Sequence, residues 1–276
     1  MAYYTNPRKY FNELPMYGAR PKLLFEGDSW FSIPDLMHIP AQLDHMLDAS
    51  VLCVAAPGDT LIKMAEGAQL STLKWLIHDV IDGQRWDAIL LSAGGNDIIG
   101  EGMQYFLKNT DPSSDQVEDY INQEVLSDCV ALMDARLNAI VALRDASIAN
   151  PSTPILIHTY SYLTPRNVAH KVLAWGVSGP WIYPYMANKG IVDCALQKAI
   201  VVYLLDRFHA LLSDIEQRPN ANVHVVDTRL ALPRLACAER GRQSKYWYDE
   251  IHPTSKGFAL LARDYFVPKL KSLGLV

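Results

Sequence analysis

Four short segments hold side chains suited to nucleophilic catalysis: Gly27-Asp28-Ser29-Trp30, Ala56-Pro57-Gly58-Asp59-Thr60, Gly94-Gly95-Asn96-Asp97 and Asp249-Glu250-Ile251-His252-Pro253. A serine hydroxyl is a weak nucleophile until a base takes its proton. Histidine is the natural base, because its ordinary pKa lies near neutrality. A carboxylate on the other ring nitrogen holds the imidazole in the required tautomer. Asp249 stands three residues before His252, within reach of that nitrogen across one turn. Attack on an acyl carbon also builds an oxyanion, which needs donors fixed in advance. The backbone N–H groups of Ser29 and Gly58 and the side-chain amide of Asn96 can supply them. Glycine at 58 lets the backbone approach a substrate with no Cβ in the way.

Each of these residues also has an ordinary structural reading. A serine after a strand is commonly a turn or N-cap residue. Gly58 can open a turn with Asp59 capping the next helix, and Asn96 can cap the turn after its strand. The pair Gly94-Gly95 points to close backbone packing there. Asp28 and Asp97 read as braces of their own loops. Glu250 competes with Asp249, but its spacing directs it elsewhere. His38, His45, His78, His158, His170, His209 and His224 compete with His252. His158 is the serious rival, because it ends a strand at the same edge of the sheet.

The elements that must position these residues follow from the hydrophobic pattern. Short apolar runs at residues 22–26 (KLLFE), 51–55 (VLCVA), 88–92 (AILLS), 155–159 (ILIHT) and 223–227 (VHVVD) predict strands buried on both faces of a parallel sheet. Helical patterns fill the gaps at 36–47, 70–81, 116–149, 189–215 and 254–273. Alternating strand and helix predicts a three-layer α/β domain with right-handed crossovers. In such a sheet, ligands bind at the carboxyl ends of the strands. Ser29, Gly58 and Asn96 should therefore converge, and His252 can join them from the loop before the last helix. Residues 1–20 read as an arm over a single domain of residues 21–276. Two connections are longer than the fold needs, near 101–114 and 161–188. The second is rich in aromatics (Tyr162, Trp175, Trp181, Tyr183, Tyr185) and reads either as a lid or as an ordered insertion.

In order and placement the four segments resemble the blocks of the SGNH/GDSL hydrolase family, from residue 22 to the final helix. The matches are Ser29 in GDSW, Gly58 in APGDT, Asn96 in GGND and His252 in DEIH. The resemblance implies a flavodoxin-like α/β/α sandwich with a five-stranded parallel sheet and a Ser29–Asp249–His252 triad. It also implies an oxyanion hole of Ser29 N–H, Gly58 N–H and the Asn96 amide. The expected reaction is cleavage of carboxylic esters through an acyl-enzyme. Two departures stand out: Trp30 follows the serine where the family commonly has an aliphatic residue, and Ala55-Ala56-Pro57 precedes Gly58 where an asparagine often stands. Position 31 is Phe, so the G-x-S-x-G elbow is absent. The alternative is a non-catalytic module that keeps the scaffold and holds a ligand or partner in its crevice.

Composition narrows the rest. The chain has 276 residues, 50% hydrophobic and 20% charged, the balance of a folded protein. A net charge of −5 leaves no electrostatic footprint for nucleic acid. The densest basic group, Arg234, Arg240, Arg242 and Lys245, reads as a solvated loop. No metal-ligand spacing and no phosphate-binding Gly-rich loop appears, so neither metal nor cofactor is expected. Four scattered cysteines, Cys53, Cys129, Cys194 and Cys237, read as reduced thiols. With no apolar leader and no stretch of membrane-spanning length, the expected location is cytoplasmic. The expected partner is a small-molecule, lipid or carbohydrate ester. Short-chain esters, acetylated sugars, lysophospholipids and thioesters all stay open, as does the oligomeric state.

Overall fold

The run Leu23-Leu24-Phe25 is wholly buried, as are Ile89-Leu90 and Leu156 on neighbouring strands. This is why these stretches read as continuously apolar rather than alternating. The computed structural model describes residues 3–79, 85–110, 114, 116–172, 176–239 and 244–276. The main sheet contains β1 (Tyr3–Tyr4), β2 (Lys22–Gly27), β3 (Ser50–Cys53), β4 (Ala88–Ser92), β5 (Ile155–His158) and β8 (Val223–Val226). Its order is β1-β3-β2-β4-β5-β8, and every pairing is parallel. A separate two-stranded sheet pairs β6 (His170–Val172) with β7 (Gly176–Ser178), antiparallel.

The five expected strands are all present, and among the described residues the sheet has six. The extra strand comes from the N-terminal arm, where Tyr3 pairs with Val51 and Tyr4 with Leu52. Two residues carry no periodicity, so no hydrophobic pattern could have announced it. The arm continues into α1 (Pro7–Glu13), capped by the Asn6 side chain. Tyr10 is buried there, with its ring stacked on Trp86 at 5.5 Å.

The remaining helices are α2 (Ser29–Ser32), α3 (Ile39–Met46), α4 (Leu61–Met64), α5 (Gly67–Lys74), α6 (Gly95–Ile98), α7 (Met103–Phe106), α8 (Gln123–Asp145), α9 (Tyr183–Ala187), α10 (Cys194–Glu216), α11 (Ser255–Leu261) and α12 (Val267–Ser272). Helices α3 and α11 pack together, while α8 packs on α10 and α4, giving the α/β/α sandwich. The long helices begin later than the pattern suggested, because polar caps fix their starts. Asn122 accepts from Val125 N at 3.4 Å, and Asp193 accepts from Leu196 N at 2.8 Å. Among the described residues no helix is long and apolar enough to cross a membrane.

The reduced-thiol reading needs correction. Cys194 and Cys237 form a disulfide across a sequence separation of 43, while Cys53 and Cys129 are free. Cys194 begins α10 and Cys237 lies in the long loop after β8. Their wide separation and the absence of any cysteine motif hid the pairing. The end of the expected 70–81 helix, Trp175, Arg240 and Arg242 lie outside the described residues.

The central strands run β3-β2-β4-β5-β8, so the chain leaves β2 for one side and returns through β4 on the other. That reversal is a topological switch point, where open α/β sheets form their ligand crevice. In register, Gly27 at the end of β2 lies opposite Ser92 at the end of β4. The turns bearing Ser29 and Asn96 therefore leave the sheet side by side.

Candidate active site

Asp28 ends the extended backbone of β2 and caps α2, its carboxylate accepting from Trp30 N at 2.9 Å. This places Ser29 at the first helical position, at the mouth of the crevice. His252 Nε2 lies 2.7 Å from Ser29 Oγ, across a sequence separation of 223. On the other side of the ring, Nδ1 lies 2.7 Å from Asp249 Oδ2. Asp249 Oδ1 accepts from the backbone N–H groups of His252 at 2.7 Å and Ile251 at 2.9 Å. The turn is closed by Tyr248 N donating to His252 O at 2.8 Å, and Thr254 caps α11 immediately after it. All three side chains are nearly enclosed, with Ser29 5%, Asp249 1% and His252 2% exposed. Burial alone would raise the Asp249 carboxyl. The charge and hydrogen bonds of His252, with the Ile251 N–H, outweigh it and hold the group below its ordinary range.

The other two sequence-predicted residues line the same cavity of about 380 Å³ as Ser29. Gly58 adopts φ 79°, a left-handed conformation natural to glycine, and a Cβ there would point into open space. The Asn96 amide donates to Asp59 O at 2.8 Å, which fixes one of its two N–H bonds and leaves the amide oriented. One residue on, the Asp97 carboxylate accepts from Leu61 N at 2.9 Å at the start of α4. The GGND turn is thus tied twice to the loop that carries Gly58. Burial pushes the Asp97 carboxyl up to about 6. A Cβ on Gly95 would stand 2.4 Å from the Tyr160 ring, so the close packing read from Gly94-Gly95 is present. The expected cap at Asp59 is not: Thr60 caps α4, while the Asp59 carboxylate accepts from the Gln69 amide.

Sequence reasoning missed a second polar cluster directly beneath Ser29. Asp28 Oδ1 accepts from Ser92 Oγ at 2.6 Å, and its Oδ2 accepts from Tyr160 OH at 2.5 Å. His158 Nε2 lies 2.9 Å from the same Ser92 oxygen. These are the residue types of a triad in a different order: the serine sits between the acid and the histidine. Ser92 and His158 are fully buried, so no substrate reaches them. Burial pushes Asp28 up to about 6, against the donors Ser92, Tyr160 and Trp30 N, and pushes His158 down to about 3. His158 therefore stays neutral and acts as a packing partner, stacked on Trp30 at 5.4 Å. The only advance sign was position, since Ser92, His158 and Tyr160 all fall at strand ends on the catalytic edge.

Trp30 also gains an explanation. Its indole N–H donates to Ile251 O at 3.1 Å, tying the turn of Ser29 to the loop bearing His252. Glu250 does point away from the imidazole, as expected. Its buried carboxylate accepts from the backbone N–H groups of Arg166 (2.9 Å), Trp181, Ile182 (2.6 Å) and Tyr183 (2.8 Å). Burial pushes it up to about 7, against those four donors. Within 161–188 lie β6, β7 and α9, and this stretch supplies Leu163, Trp181 and Tyr185 to the cavity wall.

The sequence profile of the GDSL-like Lipase/Acylhydrolase family matches residues 25–264. None of the curated proteins matches the chain in sequence. Among solved structures, a phospholipase A1 from Streptomyces albidoflavus is 15% identical with a TM-score of 0.54, over 92% of this chain and 99% of that one. An extracellular lipase from Streptomyces rimosus is 13% identical with a TM-score of 0.51, over 91% and 99%. At such identities these likenesses speak for the fold alone. The profile spans most of the chain, and the chain accordingly belongs to the GDSL-like lipase/acylhydrolase family, as an SGNH-type ester hydrolase.

Proposed function

We propose that the chain cleaves carboxylic esters through an acyl-enzyme on Ser29. The observation that carries this reading is the continuous relay from Ser29 Oγ to His252 Nε2 and from His252 Nδ1 to Asp249 Oδ2, both at 2.7 Å. His252 takes the Ser29 proton as the hydroxyl attacks the acyl carbon. The Ser29–acyl bond forms while negative charge moves to the carbonyl oxygen, which the Ser29 and Gly58 N–H groups and the Asn96 amide hold. The tetrahedral intermediate collapses, His252 gives its proton to the departing alkoxide, and the alcohol leaves. Water then gives a proton to His252 and attacks the acyl carbon; the second tetrahedral intermediate collapses, the Ser29–acyl bond breaks, and His252 returns its proton to Ser29 Oγ as the acid leaves. Asp249 stays ionised throughout and supports the imidazolium. The cavity beside Ser29 is bounded by Trp30, Ile99, Tyr160, Leu163, Trp181 and Ile251, with Lys63 and Glu101 also on its wall. That lining favours an ester with an apolar body.

The test is labelling with a fluorophosphonate, with wild type beside Ser29→Ala and His252→Ala and mass mapping of the adduct. A stoichiometric adduct on Ser29 that depends on His252 is the expected result. An inert, folded wild type would instead support the binding-module alternative.

A further inference from the structure

We propose that Glu250 is a positioning residue that sets specificity for the leaving alcohol, by locking the aromatic wall of the 161–188 segment onto the loop carrying Asp249 and His252. The proposal rests on the assignment of Ser29 and His252 made above. Four backbone donors from one segment converge on one buried carboxylate. Two of them, Trp181 N and Ile182 N, precede α9, and Tyr183 N opens it. The same junction is fastened from the other direction, because the Arg166 guanidinium donates to the Asp249 carbonyl. Backbone amides impose no side-chain flexibility on such a clamp, so the wall and the acid–base loop move as one body.

The wall lies on a particular side of the reacting centre. Trp181 stands edge-on to the His252 ring, at 6.1 Å between centroids and an interplanar angle of 90°. His252 must protonate the leaving oxygen, so the alcohol departs beside this ring. Trp181, with Tyr185 further along α9, therefore borders the alcohol rather than the acyl group. Loosening the clamp should weaken selection among alcohols while leaving the acyl side and the relay in place. Glutamine fills the same volume but offers one acceptor oxygen where four N–H groups need two.

Acetate esters make the test clean, because every acetate passes through the same acetyl-enzyme. For wild type, Glu250→Gln, Trp181→Ala and Tyr185→Ala, kcat and KM are measured with ethyl acetate and 1-naphthyl acetate. Ser29 labelling by a small fluorophosphonate is measured alongside. The expected result for Glu250→Gln is about a tenfold fall in the 1-naphthyl to ethyl ratio of kcat/KM, carried by KM. Its labelling rate should stay within about threefold of wild type. The two wall variants should shift the ratio in the same direction. Equal losses on both esters with slowed labelling would overturn the proposal, since Glu250 would then merely support the relay. An unchanged ratio in Glu250→Gln would also overturn it. If that variant fails to fold, amide exchange in the wild type decides. Protection of the 166 and 181–183 amides at the level of the central strands, together with a shifted ratio in Trp181→Ala, supports the clamp; exchange at loop rates overturns it. A wild type that neither labels nor cleaves either ester points to failure of the underlying catalytic assignment, and so is distinct from these outcomes.

Discussion

Replacing Asp249 by asparagine should cripple the enzyme by trapping the wrong tautomer of His252. Three donors converge on this carboxylate: the backbone N–H groups of Ile251 and His252 on Oδ1, and the imidazole Nδ1 on Oδ2. An amide has one acceptor oxygen, and two backbone N–H groups already claim that position. The NH2 group must then face Nδ1, which becomes an acceptor, and the ring proton moves to Nε2. There it confronts Ser29 as a donor, and the hydroxyl loses its base. Flipping the amide would restore the tautomer but leave two buried backbone donors unpaired, at about 1–3 kcal/mol each. A bias of about 2–6 kcal/mol corresponds to roughly 30-fold to 2 × 10⁴-fold in the competent population, at about 1.4 kcal/mol per decade. The assay is kcat/KM on p-nitrophenyl acetate with the fluorophosphonate labelling rate, checked against a melting curve. An Asp249→Asn variant that folds and stays within threefold of wild type would refute the tautomer argument.

Three further outcomes follow from the geometry. Asn96→Ala should lower kcat by about 10²–10³ through loss of one oxyanion donor, with little change in KM for short esters; a change under threefold would remove Asn96 from that role. Glu26 is buried near Asp59, and burial and the Asp59 charge push its carboxyl from 4.5 up to about 8. A folded-state pKa above the unfolded one gives stability that is full below about pH 4.5 and is lost as pH rises through about 8. The melting temperature of Glu26→Gln should therefore gain on wild type between pH 5 and 9 by several degrees, and a gap that narrows would contradict the assignment. Gly95→Ala places a methyl 2.4 Å from the Tyr160 ring and should cost about 1–3 kcal/mol in urea unfolding; stability equal to wild type would show that the ring moves aside freely.

The strands and the relay were legible because their signals are local. Short continuous apolar runs such as Leu23-Leu24-Phe25, bounded by turn residues, fit strands buried on both faces, and parallel strands deliver their following loops to one edge. Ser29, Gly58, Asn96 and His252 each sit beside such a strand or helix start. The missed features are made by distant partners. Tyr3–Tyr4 becomes a strand only because Val51 and Leu52 lie free at the edge beside it. Ser92 and Tyr160 look like ordinary strand-end residues until both donate to Asp28. Glu250 could be excluded as the orienting acid from its spacing, but its four donors come from a connection whose path no periodicity describes.

The Cys194–Cys237 bond gives the active site a dependence on oxidation state. It closes a separation of 43 residues, and Cys237 precedes Asp249 and His252 in the chain between β8 and α11. In the chain-entropy picture a closure of that length removes about 4 kcal/mol of freedom from the unfolded chain. Much of a small protein's net stability is of that size. Such bonds persist where surroundings are oxidising and are rare in the reducing cytosol. A thiol titration of the natively produced protein, unfolded without reductant, would find two free groups if the bond is kept and four if it is not. With four, the loop that presents Asp249 and His252 would keep its hydrogen bonds and the buried Trp247 but lose its covalent tie to α10.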